Sequence, residues 1–378
     1  MNSPVGQALS ILGLAAHLGR GARRVATDAV VGGRFGLPRT VEDIDTAVLS
    51  RLMGTTVRSI RVLSRDAGTS SRGRLVLTGK NVPESVFVKV SAQTAATRLM
   101  GELGRLGHTE VRFYRELAPQ VIGVPYCYGA AFDAWTGRYL LVLEDLPAES
   151  CEFPDTLHPL SADQASLVIE LLAELHATFW DRPHREGRGS MGWLYTPSGD
   201  VTSLLTGSLM HASIKRLAER TTVAVDNGKF IADNYRAVAA LIDAPPHTVM
   251  HGDAHPGNVY FQGGKAGLLD WQAVRRGHPS RELAYTLITS LTPEDRQATQ
   301  RELLDDYRRA LIAAGGPELE RDDLWLRFRQ AALYAYTAPL ITAGMGGMQV
   351  EDIAIEGVRR GVAALDDLET VAALKSSL

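Results

Sequence analysis

The apolar periodicity of this chain changes once, near Leu146, and that change limits the folds open to it. Before it, short segments read as strands. Val57–Leu63 alternates apolar and polar residues, and Leu75–Leu77, Val86–Val90, Pro125–Phe132 and Tyr139–Leu143 are β-rich runs bounded by turn residues. A helical stretch, His108–Leu117, interrupts them. Beyond Leu146 the spacing becomes helical, from Leu160–Trp180 with Ser161 as N-cap to Glu294–Ala314, Asp322–Ile341 and Ile353–Leu368. One β island, Thr248–Trp271, lies among these helices. Strands first and helices afterwards describe an α+β protein. At 378 residues the chain exceeds one ordinary core, so two lobes are expected. The boundaries read as a helical extension over 1–55, a β-rich lobe over 56–146, a connector at 144–147 and a helical lobe over 147–378.

Two cysteines, Cys127 and Cys151, exclude a disulfide framework and a thiolate metal site, and a reducing compartment is expected. The apolar run Ala8–Leu18 lacks a basic segment before it and is too short to span a bilayer. It reads as a packed helix, with weak attachment to a membrane surface as the lesser alternative, and a cytoplasmic location is expected. Residues 1–146 carry 18 basic and 12 acidic side chains within a net charge of −3, a distribution that suits an anionic ligand near the first lobe or two unrelated solvated surfaces. The sequence has neither basic runs nor aromatic–basic interleaving, so nucleic acid is not an expected partner.

The chemistry concentrates in the β island. In Val249–Trp271, His251, Asp253 and Asn258 form H-x-D-x-x-x-x-N, and Asp270 follows a second apolar run. An apolar strand delivers Asp253 to a turn, Pro256–Gly257 bends the chain, and Gly263–Gly264 reverses it towards Asp270. Phosphoryl transfer needs such a set: a carboxylate to take the proton of an attacking hydroxyl, and oxygen ligands to hold magnesium against nucleotide phosphates.

These motifs, HGDAHPGN followed by LLDW, resemble those of the aminoglycoside phosphotransferase and choline kinase superfamily, from about residue 57 to the C-terminus. Gln272 brings the second motif closer to the ecdysteroid-kinase-like branch. The resemblance implies a protein-kinase-like two-lobed fold, with a small antiparallel β-sheet N-lobe and a larger mainly helical C-lobe. It implies ATP and Mg2+ as cofactors, Asp253 as catalytic base, and Asn258 and Asp270 as magnesium ligands. His251 would orient the loop by hydrogen bonds. Lys89 would reach the nucleotide phosphates, held by Glu110, with Glu116 as the alternative partner. The loop Gly68, Thr69, Ser70, Ser71 would close over phosphates, and Glu144 and Leu146 would bind adenine through main-chain groups. His176 reads as a packed histidine. Glu282 stands where the family usually has the Asp of Asp-Leu-Ala.

Gly68–Gly73 has the glycine spacing of a P-loop, but a strand follows where a P-loop needs a helix. Gly187–Gly192 satisfies G-x-G-x-x-G after a helix and reads as a connector. Two rival functions stay open: a metal-dependent hydrolase using His251, Asp253 and His255, and an inactive kinase fold serving as a binding module. The expected partner is a small-molecule hydroxyl acceptor. Aminoglycosides, macrolides, choline, sugars, amino-alcohols and steroid-like alcohols all fall within the resemblance, and an acidic excess over 291–378 leans slightly towards a cation.

Overall fold

The computed structural model of the chain describes residues 4–31, 36–68, 70–182, 191–346 and 349–378. It divides into two compact units, the first comprising residues 1–120, 124–151 and 270–273, the second residues 121–123, 152–269 and 274–378.

The first unit is built on a five-stranded antiparallel sheet in the order β1-β2-β3-β5-β4. Its strands are β1 (Thr56–Ala67), β2 (Ser70–Lys80), β3 (Ser85–Ser91), β4 (Cys127–Phe132) and β5 (Tyr139–Glu144). Successive side chains of a strand point to opposite faces. On the central strand β3 this sends Val86, Val88 and Val90 into a core with Leu75, Leu77, Leu140 and Val142, and leaves Lys89 on the other face. Helix α2 (Thr46–Met53) closes that core with Leu49. It starts where Asp45 caps the Val48 N–H and stops at Gly54, whose φ of 67° disfavours a side chain.

The serine-rich stretch expected as a loop is mostly strand. β1 and β2 stay paired as far as Ala67↔Ser71, so Ser70, Ser71 and Gly73 belong to β2. The ladder satisfies their backbone groups, and both serines are buried. At Gly73 a Cβ would stand 2.7 Å from a methyl of Val41, which is why the small residue suits this strand.

Helix α1 (Pro4–Val31) contains the apolar run, but Leu9, Ile11 and Leu12 of that run face outwards, each more than half exposed. The helix docks through its other face, where His17, Gly21 and Asp28 are buried. His17 Nε2 donates to the Leu103 carbonyl at 2.9 Å, and Asp28 pairs with Arg98 and Arg138. Polar anchors, not its leucines, therefore attach α1 to α3 (Ala95–Leu103) and to the start of β5. Then comes α4 (Leu106–Arg112), which widens into a π-helical turn over Phe113–Leu117.

The second unit is mainly helical. Helix α5 (Ala162–Thr178) opens with a capping box between Ser161 and Gln164, and long helices cover Ser203–Ala218, Lys229–Ile242, Ser280–Ser290, Pro293–Ala313, Arg321–Met345 and Glu351–Asp367. Within it the β island forms β7 (Thr248–Met250), the hairpin β8 (Val259–Gln262) and β9 (Lys265–Leu268), and β10 (Arg275–Gly277), which pairs with β7; a two-residue strand, β6 (Cys151–Glu152), precedes α5. Among the described residues no helix is long and apolar enough to cross a membrane.

The sheet core gives a direct test. Leu140→Ala, in a fully buried position of β5, should cost about 2–5 kcal/mol, the usual range for Leu→Ala in a packed core. Urea unfolding followed by circular dichroism measures it. A loss below about 1 kcal/mol would contradict the packing described for this face.

Candidate functional site

In the first unit the site is organised around one buried cation. Lys89 is 2% exposed, and its Nζ lies 2.8 Å from Glu110 of α4 and 2.7 Å from Asp270. An ammonium has no place in a strand interior unless carboxylates compensate it. Burial alone would lower the Lys89 pKa, but Asp270 and then Glu110 outweigh it and raise it. Glu110, 1% exposed, takes the poorer share of the single cation: burial pushes its carboxyl up to about 7 against the pull of Lys89, and Asp270 adds to the push. Glu116 points elsewhere, to Arg112 one turn away at 2.6 Å.

Aromatic stacking fixes the same assembly. Phe113, three residues after Glu110, stacks on Trp271, next to Asp270, with ring centroids 4.0 Å apart and planes within 5°. Phe113 thus holds Trp271 while Lys89 bridges Glu110 to the preceding Asp270, which gives a physical reason for a Glu-x-x-aromatic spacing. Asp270 itself has a φ of 58°, a left-handed conformation that Asp tolerates better than most residues. The β-rich unit also contains Gly68, Ser70, Ser71, Glu144 and Leu146; Thr69 lies outside the described residues, as do Gly187 and Gly189 of the second glycine pattern. Ser70 hydrogen-bonds the buried Tyr139 side chain, and the Gly68 N–H donates to the Ser70 carbonyl at 2.9 Å. Glu144 ends β5, where its carboxylate accepts from the Tyr126 N–H at 3.0 Å. The following connector is fastened by Arg74, which donates to Asp145 at 2.6 Å and to the Leu146 carbonyl at 3.1 Å.

In the second unit the loop after β7 carries His251, Asp253 and Asn258. Both ring nitrogens of His251 serve the backbone. Nε2 donates to the Leu269 carbonyl at 2.7 Å, and Nδ1 accepts from the Asp253 N–H at 3.2 Å. Since a carbonyl can only accept, the Nε2–H tautomer follows. Asn258 Nδ2 donates to the Asp253 carbonyl at 2.9 Å. The Asp253 carboxylate accepts from the Tyr285 hydroxyl at 2.7 Å. Burial, then the charge of Asp253, hold the Tyr285 pKa well above its usual value, so this phenol remains a donor. His255 caps its own turn, with Nδ1 accepting from the Gly257 N–H. Among the described residues, no group of three or more His, Cys, Asp or Glu side chains is arranged to hold a metal.

Glu282 holds the loop from below. Its carboxylate accepts from the His251 N–H at 3.1 Å, the Gly252 N–H at 2.6 Å and His176 Nε2 at 2.9 Å. His176 is fully buried, and its Nδ1 takes the Tyr307 hydroxyl at 2.9 Å. Burial would raise the Glu282 pKa, but the hydrogen bond from His176 and that from the Gly252 N–H act against it and lower it. A glutamate in place of aspartate thus fills the capping position. Arg74 and Tyr285 carry no local sequence signal, because Arg74 acts on residues 71 and 72 positions away and Tyr285 on one 32 positions away. Glu282 had one, its place in the Asp-Leu-Ala pattern.

The sequence matches the profile of the phosphotransferase enzyme family over residues 62–325. Among solved structures, a Ralstonia eutropha protein assigned as an aminoglycoside phosphotransferase is similar at a TM-score of 0.57 and 15% identity, covering 88% of this chain and 98% of its own. A choline/ethanolamine kinase family protein from Mesorhizobium loti is similar at 0.50 and 14%, covering 84% of this chain and 92% of its own. Choline kinase from Cryptosporidium parvum reaches 0.52 at 8%, with 85% and 91% covered. At such identities the likeness is one of fold, and the fold is protein-kinase-like. Among curated proteins, none matches the chain by sequence.

Two measurements follow from these contacts. Because the Glu110 pKa rises on folding from 4.5 to about 7, the folded state binds the extra proton, and its contribution is lost as pH rises through that interval. The stability of the wild type relative to Glu110→Gln should therefore fall between about pH 4.5 and 7 and level off above; a slope of opposite sign in pH-resolved urea unfolding would contradict the assignment. Glu282→Ala should destabilise by about 3–5 kcal/mol, the range for breaking a buried charged network. A thermal midpoint equal to that of the wild type would show that the loop is held by something else.

Proposed function

We propose, from the premise that this chain belongs to the phosphotransferase enzyme family, that it transfers the γ-phosphate of ATP to a hydroxyl of a small molecule. The observation that carries this reading is the buried Lys89 with Glu110 and Asp270. A cation held mid-strand by two carboxylates gains nothing for the core, and replacing such groups by apolar side chains is often neutral or stabilising. It does suit the α- and β-phosphates of a nucleotide.

In this reading Asp253 is the base. Tyr285 occupies one of its carboxylate oxygens, and the other takes the proton from the acceptor hydroxyl. The hydroxyl oxygen then bonds to the γ-phosphorus as the bond to the β,γ-bridging oxygen breaks, and ADP leaves. Asn258 and Asp270 offer an amide oxygen and a carboxylate, the hard donors that magnesium prefers. Asn258 Nδ2 donates to the Asp253 carbonyl, so the amide oxygen is the atom assigned to the cation. Bound magnesium would neutralise charge on the phosphates during transfer. Gly68, Thr69, Ser70 and Ser71 are assigned to the phosphates, and the main chain at Glu144 and Leu146 to adenine.

The hydrolase reading would need His251, Asp253 and His255 as joint ligands. His251 has both ring nitrogens committed to the backbone, and His255 Nδ1 accepts from its own turn. This favours the kinase reading.

The test begins with an ATP-consumption screen over hydroxylated metabolites and antibiotics, with a no-acceptor control. On the acceptor found, Asp253→Asn should lower turnover by about 10²–10⁴-fold, as for loss of a positioned general base, while magnesium-ATP binding survives. Phosphorylation by the mutant at near the wild-type rate would remove Asp253 as base. Loss of metal binding in the mutant would favour the hydrolase instead.

A further inference from the structure

The end of α1 sits in a cluster of arginines. Asp28, 4% exposed, receives Nη1 of Arg98 and both Nε and Nη2 of Arg138, the last at 2.6 Å, while Arg39 Nη2 donates to its carbonyl at 2.7 Å. Glu102 lies next to this group but is already paired with Arg24 at 2.8 Å. Asp133 is turned to its own loop, accepting from Thr136 and the Trp135 N–H. Arg39, Arg98 and Arg138 thus converge on Asp28, while Glu102 acts on Arg98 from beside it and the Asp43 carboxylate accepts from the Thr40 N–H at 3.0 Å.

Two of those arginines are buried, Arg98 at 6% and Arg138 at 5% exposed. Burial lowers the Arg98 pKa, and the Arg138 charge adds to it even against Asp28. Arg138 Nη1 is buried and has no hydrogen-bond partner among the described residues. Asp28 compensates the charge of Arg138, but a buried guanidinium nitrogen without an acceptor is costly. Beside it lies a cavity of about 300 Å³, lined by Asp28, Arg39, Thr40, Gln93, Arg98 and Arg138 among others. That is room for a small anion with its water. Ala95, the first residue of α3, also lines the cavity, so the positive end of a nine-residue helix adds to the same field.

We propose that this cavity is a binding site for a phosphate-type dianion, either free phosphate or the phosphoryl group of a small phosphomonoester. Three guanidinium groups favour an anion, and with the Gln93 amide they supply donors from several directions. The site is separate from the Lys89 assembly in its residues and does not depend on the function proposed above. A bound anion would tie together the end of α1, the residues before α2 and the start of α3, so it would stiffen the attachment of α1.

Titration calorimetry with inorganic phosphate tests this on the full chain, at constant ionic strength set with chloride. Phosphate binding should persist in Lys89→Ala, which removes the other phosphate-binding cation. It should weaken about tenfold or more in Arg39→Gln, which removes a charged donor from an exposed side chain and leaves the buried Asp28 pairs intact. Thr40→Val, which also removes the hydrogen bond from the Asp43 N–H to its hydroxyl, serves as a second variant and should weaken binding less. Repeating the titration with glycerol phosphate separates the two sources: tighter binding assigns the site to a monoester, equal or weaker binding to the free ion. The proposal is overturned if the wild type binds no phosphate, if Lys89→Ala abolishes binding, or if neither Arg39→Gln nor Thr40→Val changes it.

Discussion

A single ammonium group, that of Lys89, is buried at the centre of a β-sheet and shared by two carboxylates from distant parts of the chain. Taking this charge out of water is costly, so every group around it must be placed to offset the cost. Glu110 has to come from a helix packed against the sheet, and Asp270 from a segment 181 residues away. The alternation of β3 makes the arrangement possible: Val86, Val88 and Val90 supply the core, while Lys89 faces the other way. Phe113 and Trp271 then close the assembly with apolar contact, where hydrogen bonds alone would leave the carboxylates mobile.

The loop after β7 in the second unit is held on a different principle. There the backbone N–H groups of His251 and Gly252 converge on one buried carboxylate, Glu282, and His176 supplies the compensating hydrogen bond. An anion receiving several N–H donors is stabilised in its charged form. His251 acts above it as a backbone bracket, and Asp253 is left with its carboxylate steadied by Tyr285.

Helix α1 shows how apolar periodicity and burial can part. Leu9, Ile11 and Leu12 lie outwards, and the helix is fastened by His17, by a close approach at Gly21 and by Asp28 among arginines. Hydrophobic residues are not confined to interiors, whereas a buried charged group must have partners. Partners at Arg98 and Arg138 are 70 and 110 residues from Asp28, so no local window contains them.

The sequence by itself determined the main runs of strand and helix, the reversal at Gly263–Gly264 and the proximity of Asp253 to Asn258, because period, turn chemistry and short spacing are local properties. The same holds for the family resemblance, which rests on contiguous residues around HGDAHPGN and LLDW. Between Glu110, which the resemblance put first, and Glu116, tertiary structure decided which acid meets Lys89. Both lie on one helical stretch, and in the folded chain Glu110 reaches Lys89 while Glu116 pairs with Arg112. It also decided that Ser70 and Ser71 join the sheet, that Arg74 fastens the Asp145–Leu146 connector, and that Tyr285 reaches Asp253. Each of these is a contact between residues that no periodicity relates, and a contact of that kind exists only once the chain has closed its core.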